Sequence, residues 1–261
     1  MQVRENIKRE LVMKMLILED SRQQERKHEI KHSYFRSVGC HWNRTALYCG
    51  DYTLPADQSV CIDTKKDIQE LIGDIQVKQM SKSDIKQKVF ELAESNHIGF
   101  DLAEQIYHAI CDDDVDRFAE KEINDICFKN GIPERVINEF QSLYVKRHGF
   151  FHRGLKRAQN SGIRLIVLVD NREGVKSVDD LFRWHNPRMD IWVNSSEVIG
   201  SWKNGRPRYK RVQKYPYAVT GERLAKACIT MQLKYGVEFQ FCKPEEAGER
   251  ILSILNVKQE E

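Results

Sequence analysis

Residues 60–65 read Val-Cys-Ile-Asp-Thr-Lys, a short strand that begins apolar and ends polar. Side chains two residues apart in a strand point to the same face, so Asp63 and Lys65 should project together while Thr64 points the other way. Upstream, the tripeptide Gly-Asp-Tyr ends a second predicted strand, residues 42–52, from which Asp51 can reach the face of Asp63. The sequence therefore predicts two carboxylates and an ammonium at one end of a sheet.

These side chains suit metal-dependent hydrolysis of phosphodiester bonds. Two carboxylates can hold Mg²⁺, a hard cation that prefers oxygen ligands, keeps several waters and leaves positions for phosphate oxygens. An ammonium beside them, here that of Lys65, positions a water or stabilises the charge that develops at phosphorus. The same spacing also occurs in ordinary surface strands, so the residues alone leave both interpretations open.

Three sequence elements resemble, in order and spacing, the motifs of the XPF/ERCC-type nuclease domain. The family's D-x-R-E, G-D-Y and E-R-K-x-x-x-D elements have their counterparts in Glu-Asp-Ser-Arg-Gln at 19–23, Gly-Asp-Tyr at 50–52 and Ile-Asp-Thr-Lys at 62–65. The form most resembles the small members of this family from bacteria and their phages, which lack the helicase-like part.

This resemblance implies a restriction-endonuclease-like α/β fold, with a mixed central sheet flanked by helices. It implies a metal-dependent DNA endonuclease of repair or recombination, selective for branched, flap or junction DNA, with Mg²⁺ as cofactor and Mn²⁺ as a substitute. By motif, Asp51 and Asp63 are the implied metal ligands and Lys65 the catalytic lysine. Asp20 is the implied additional acidic residue at the metal.

Several positions depart from the family's motifs. Asp63 stands where the family has glutamate, which keeps a carboxylate on a shorter side chain, and Thr64 stands where it has arginine. The trailing acidic position falls at Gln69, and the glutamate of the first element falls at Gln23. The two glutamines are therefore left out of the predicted site.

Two other functions stay open at this point. A non-catalytic DNA-binding or scaffold protein could retain the same fold, although intact Asp51, Asp63 and Lys65 favour an enzyme. A dimeric enzyme that resembles a Holliday-junction resolvase would use the same chemistry, and its size in solution and its substrate preference would distinguish it.

Charge is unevenly distributed along the 261 residues, although Lys and Arg (42) nearly balance Asp and Glu (39). Residues 84–139 contain 14 acidic and 6 basic residues, a balance of −8, which leaves +11 for the remainder. Four apolar patterns of helical spacing fill this region, with breaks near 96–99, 112–114 and 130–133. We therefore expect a nuclease core at 13–77 and 148–256, interrupted by an acidic helical insert at 78–147. Through this insert the protein could form a homodimer or bind a protein partner.

A strip rich in cations and aromatic residues lies between residues 202 and 217. Cations of this kind neutralise the phosphate backbone, and aromatic rings stack on bases, which predicts DNA as the partner. A solvated loop is the competing interpretation. The cations assigned to DNA binding are Lys203, Arg206, Arg208, Lys210 and Arg211.

Seven cysteines without a CxxC pair indicate buried free thiols in a reducing compartment. A zinc site is the alternative, because His28 and His32 are one helical turn apart and shortly precede Cys40 and His41. No apolar run approaches the ~20 residues that span a bilayer, and the charged first ten residues lack the apolar segment of a signal peptide. These features predict a cytoplasmic protein without a membrane partner, and the resemblance implies a bacterial or phage-infected cell.

Overall fold

A computed structural model describes residues 16–24, 27–76, 80–111 and 119–257. Within them, six strands form one mixed sheet and two form a separate hairpin. The strands are β1 (Leu16–Asp20), β2 (His41–Thr45), β3 (Tyr52–Thr53), β4 (Val60–Lys65), β5 (Arg164–Asp170), β6 (Trp192–Ser201), β7 (Pro207–Gln213) and β8 (Glu238–Cys242). The sheet has the order β2-β1-β3-β4-β5-β8, and β6 pairs with β7.

Helices cover both faces of the sheet and fill the connection from β4 to β5. They are α1 (Glu29–Ser37), α2 (Ile68–Ile75), α3 (Lys82–Ser95), α4 (Phe100–Cys111), α5 (Ala119–Lys129), α6 (Glu134–His148), α7 (Phe150–Asn160), α8 (Val178–Leu181), α9 (Gly221–Tyr235) and α10 (Ala247–Ile254). None of these described helices combines the length and apolar character needed to cross a lipid bilayer.

The side chains of β5 alternate between the two faces of the sheet and enter an apolar core on each face. Leu165, Val167 and Val169 enter a core with α2, α7 and α9. Leu168 points to the opposite face and packs with α1 and α10. β4, β5 and β8 run parallel, whereas β3 is antiparallel to both of its neighbours. The mixed central sheet flanked by helices, which the resemblance implies, is therefore confirmed.

Two predicted elements are wrong in their extent. The charged stretch 22–36 predicts one helix, but the helix begins at Glu29, because the Asp20 side chain accepts a hydrogen bond from the Arg22 backbone N–H at 3.2 Å and holds a turn there. The single strand expected over residues 42–52 is divided between β2 and β3. These strands pair with opposite edges of β1, so the chain between them has to cross the end of that strand.

Helices α3 to α6, here called the helical unit, pack around an apolar core of their own. This core includes Ile85, Ile106, Ile123 and Phe140, all 0% exposed. The helices lie where the sequence predicts four, and the expected break at 112–114 lies outside the described residues. The division of the chain into a nuclease core and an insert stays a prediction.

Candidate active site

The turn before β3 brings Asp51 to the end of β4. Gly50 has a φ of +67°, and a Cβ at this position would lie 2.8 Å from the carbonyl oxygen of Ile62. The Asp51 backbone N–H donates to the same carbonyl at 2.6 Å. Glycine is required at position 50 because the backbone is left-handed there and the strands approach closely.

The structure brings Asp63 and Lys65 together, as the strand period predicts. Lys65 Nζ lies 2.7 Å from Asp63 Oδ2 and 2.7 Å from Asp74 Oδ2, and 4.8 Å from the ring centroid of Phe151. Burial acts to lower the pKa of Lys65, but the charges of Asp63 and Asp74 outweigh it and raise that pKa above its ordinary value. Lys65 is therefore a fixed cation, suited to stabilising negative charge rather than to accepting a proton.

Asp51 is buried between Thr64 and Gln23. Its Oδ2 accepts hydrogen bonds from the Thr64 backbone N–H (2.8 Å) and hydroxyl (2.5 Å), and its Oδ1 accepts one from Gln23 Nε2 at 2.5 Å. Burial and the charge of Asp63 raise the pKa of Asp51 to about 7, although the hydrogen bonds from Thr64 oppose this shift. Asp51 is therefore hydrogen-bonded to Thr64, whose side chain points away from the face of Asp63 and Lys65. Its interaction with Asp63 is electrostatic.

The donor chemistry of this carboxylate pair fits the metal that the family resemblance implies. Burial raises the pKa of Asp63 as well, against the opposing charge of Lys65. A divalent cation would offset the repulsion between Asp51 and Asp63. Carboxylate oxygens are also the ligands that Mg²⁺ and Mn²⁺ prefer.

Asp20 lies beside this pair but is held by Arg22. The Arg22 Nε is 2.9 Å from each carboxylate oxygen, and its Nη2 is 2.6 Å from Oδ2. The Asp20 backbone N–H donates to the Asp51 carbonyl at 2.9 Å. In the part of the chain that the structure describes, Asp20, Asp51 and Asp63 do not bring three ligand oxygens within 4.8 Å of one another. Metal ligation by Asp20 stays a prediction and requires the Arg22 pair to open.

Two members of the site are not identified by the motifs: Gln23, which donates to Asp51, and Asp74. Asp74 contacts Lys65 from α2, where it follows Glu70 at the spacing of one helical turn. In the sequence, the two carboxylates that follow Lys65 at this spacing, Glu70 and Asp74, could have indicated an acidic partner for the lysine. Gln69, at the family's trailing acidic position, instead donates to Asn186 Oδ1 at 2.8 Å.

A second polar cluster lies on the face covered by α1. Glu19 and His28 are buried and His32 is nearly so, and their ligand atoms lie within 4.8 Å of one another, so the three could hold a metal ion. His32 Nε2 contacts Glu19 Oε2. Burial, followed by the charge of nearby cations, lowers the pKa of His28 to about 3. Its imidazole is therefore neutral at physiological pH, the form that binds metals.

This cluster differs from the zinc site considered from the sequence. Beside the two histidines, the structure places Glu19 as the third possible ligand, whereas the sequence suggests Cys40 and His41. The Cys40 thiol is buried, which raises its pKa to about 11, and His41 is exposed. All seven cysteines are buried free thiols, as the sequence predicts.

β6 and β7 form a hairpin that carries the five cations assigned to DNA binding on β7 and the connecting turn. Nearly all of its residues are exposed, and the strip is an ordered ribbon rather than an irregular loop. Trp202 is 58% exposed, with the Arg208 guanidinium 5.4 Å from its ring centroid. Lys210 Nζ lies 2.8 Å from Glu197 Oε2. The surface offers cations and an aromatic ring together, and its DNA contact stays a prediction.

The raised pKa of Asp51 predicts a pH dependence of stability in metal-free buffer. An acid with a folded-state pKa above its unfolded value of about 3.9 binds its proton more tightly when folded. Its stabilising contribution is present below the unfolded pKa and is lost as the pH rises towards about 7. Asp51→Asn cannot titrate at this position, so it does not lose this contribution. The free energy of unfolding of the variant, minus that of wild type, should therefore increase between pH ~5 and pH ~8 by on the order of 2 kcal/mol.

Urea unfolding in EDTA across this pH range measures the effect. Asp179→Asn, which replaces an exposed carboxylate, is the control and should follow the wild-type profile. Parallel profiles for wild type and Asp51→Asn would contradict the raised pKa of Asp51.

Comparison with known proteins gives a similarity among solved structures. No protein-family model matches the chain, and no curated protein matches it. Among solved structures, the chain is similar to XPF from Aeropyrum pernix, with 12% sequence identity and a TM-score of 0.33. The match covers 94% of this chain and 62% of that protein, so the chain spans less than two thirds of its length.

Proposed function

We propose that the protein is a divalent-metal-dependent endodeoxyribonuclease that hydrolyses phosphodiester bonds in branched, flap or junction DNA. The observation that carries this proposal is the pair of carboxylates formed by buried Asp51 and partly exposed Asp63, beside the fixed cation of Lys65. Two such carboxylates bind a hard cation, and an ammonium next to them stabilises a phosphorane-like transition state.

The chain's own contacts suggest a role for each residue. Bound by Asp51 and Asp63, Mg²⁺ would polarise a phosphate oxygen and supply a water of lowered pKa. Lys65, held between Asp63 and Asp74, would stabilise the negative charge that develops on the scissile phosphate. Thr64 orients the Asp51 carboxylate through its two hydrogen bonds.

A panel of DNA substrates tests this function. Forked, flapped, four-way and linear duplexes are incubated with the protein in Mg²⁺, in Mn²⁺ and in EDTA. Cleavage near the branch in either metal, absent in EDTA, is the expected result. Absence of cleavage on every substrate would overturn the proposal, and retained DNA binding in that case would favour the scaffold alternative. Symmetric cleavage of the four-way junction by a dimer would favour the resolvase alternative.

The hairpin should contribute DNA affinity without contributing to the chemical step. Replacing Lys203, Arg206, Arg208, Lys210 and Arg211 together by Ala removes up to five phosphate contacts, so fewer counterions are released on binding. We expect affinity to fall by roughly 10- to 100-fold at moderate salt, and the dependence of log K on log salt to become shallower.

Fluorescence anisotropy on a labelled branched duplex at several salt concentrations measures both quantities. A control variant removes the same charge from exposed positions on other elements: Arg172, Lys226, Lys234, Lys243 and Arg250. An equal loss in both variants would show a nonspecific charge effect, and an unchanged salt slope in the hairpin variant would identify the strip as a solvated ribbon.

A further inference from the structure

The cluster of Glu19, His28 and His32 has no part in the proposed DNA chemistry. β1 supplies Glu19, His28 immediately precedes α1, and His32 follows one helical turn later. Glu19 and His28 are 2% and 3% exposed. Three groups of this kind, drawn from two elements and gathered within 4.8 Å, form a built site rather than a chance surface grouping.

Two imidazoles and one carboxylate are the donors of an imidazole-preferring transition metal. Zn²⁺ accepts three such protein ligands with a water in the fourth position, whereas Mg²⁺ favours an oxygen shell. We propose that Glu19, His28 and His32 bind one zinc-class divalent ion, at a site separate from the carboxylate pair of Asp51 and Asp63.

Neighbouring aromatic residues orient the two imidazoles, as the outer shell of a metal site does. The ring of Trp42 stacks on His32, with centroids 4.4 Å apart and planes 16° from parallel. The Tyr52 hydroxyl lies 2.5 Å from His28 Nδ1. Both rings are thus held in fixed orientations before an ion binds, which lowers the entropic cost of binding.

The charges around the cluster also leave a place for a cation. Lys31, the nearby cation on α1, is already paired with Asp170, with Nζ 2.6 Å from Oδ2. Arg44 Nε lies 3.4 Å from Glu19 Oε1, while Glu19 Oε2 contacts His32. Glu19 can therefore offer Oε2 to an ion and keep its contact with Arg44.

An ion at this site would connect α1 to β1 through its ligands, close to the proposed catalytic carboxylates. His28 Nε2 lies 3.4 Å from the Thr64 hydroxyl, and Thr64 in turn binds Asp51. Because the ligands come from a strand and a helix that meet only in the folded chain, binding of the ion should raise the melting temperature.

Metal titration of chelator-treated wild type tests the site, with Mg²⁺ present in excess. Calorimetry with Zn²⁺ and visible absorption with Co²⁺ should each give one ion per chain, together with a higher Tm. X-ray absorption at the zinc edge should show two imidazole ligands and no sulfur. No tight binding of either ion, or sulfur ligation, would overturn the proposal.

Variants then locate the ion. Glu19→Gln, which keeps the size and hydrogen bonding of the side chain, and His32→Ala should each weaken Zn²⁺ binding by at least about 100-fold. The double variant Asp51→Asn/Asp63→Asn should bind Zn²⁺ as wild type does, and so should His41→Ala, the matched control at an exposed histidine. Zn²⁺ binding that survives the first two changes, or that is lost in the double variant, would overturn the proposal. The result is independent of whether the protein cleaves DNA.

Discussion

Asp63→Asn is expected to abolish Mg²⁺-dependent DNA cleavage while leaving the fold intact. The change removes one of two carboxylates proposed to hold the metal, and metal stabilisation of a phosphoryl transition state is worth several kcal/mol, or roughly a thousandfold in rate. Asp51→Asn should have the same effect. Asparagine retains an acceptor for the Thr64 backbone N–H, so the local hydrogen bonding that now holds Asp51 can persist.

Single-turnover cleavage of the best substrate, with circular dichroism as the check on folding, measures this loss. Both variants should bind DNA through an intact hairpin, which separates chemistry from binding. Asp179→Asn, at an exposed carboxylate, should cleave at the wild-type rate. Cleavage by either site variant at close to that rate would place the metal elsewhere.

The elements that local patterns determine could be predicted from the sequence. The sequence predicts a helix at 150–160, and α7 has these bounds. It also predicts a helix that opens with a cap at Thr220, and Thr220 accepts a hydrogen bond from the Arg223 N–H at the start of α9. The division of residues 42–52 could not be predicted, because it depends on which edges of β1 the two strands pair with. Which edges pair depends on tertiary contacts, which β-propensity and the alternation of apolar and polar residues do not encode.

The candidate site shows the same limit. The contact between Asp63 and Lys65 follows from the two-residue period of a strand, so the sequence predicts it. The contact of Lys65 with Asp74 depends on how α2 docks on the sheet. The proximity of Glu19 to His28 depends in the same way on the docking of α1. Spacing along the chain can mark Asp74 as a candidate, but it does not encode how either helix docks.

Replacing residues 78–146 by a short Gly/Ser linker is expected to leave a folded core. The ends of the helical unit already meet, because the Met80 backbone N–H donates to the Lys146 carbonyl at 3.0 Å. A short linker can therefore close the gap at small entropic cost. The unit also has its own apolar core, separate from the two that flank the sheet.

The deletion does remove contacts with the rest of the chain. The Arg153 guanidinium of α7 lies 4.8 Å from the ring centroid of Tyr144, and His148 Nε2 lies 2.7 Å from the Ile110 carbonyl oxygen. We therefore expect a lower Tm but a cooperative transition, which circular dichroism during thermal unfolding would show. An unfolded product would mean that these helices complete the core of the nuclease domain.

The charge of the deleted residues determines the expected effect on DNA. The region from 84 to 139 has a balance of −8 within a remainder of +11, so at close range it repels the phosphate backbone or competes with it for the basic surface. Cleavage of linear duplex should persist or rise on deletion, while the ranking of forked, flapped and four-way substrates should change. The substrate panel on the deletion variant measures both. Loss of DNA binding by a folded deletion variant would show that the helices bind DNA despite their acidity, because the hairpin and the carboxylate pair remain in place.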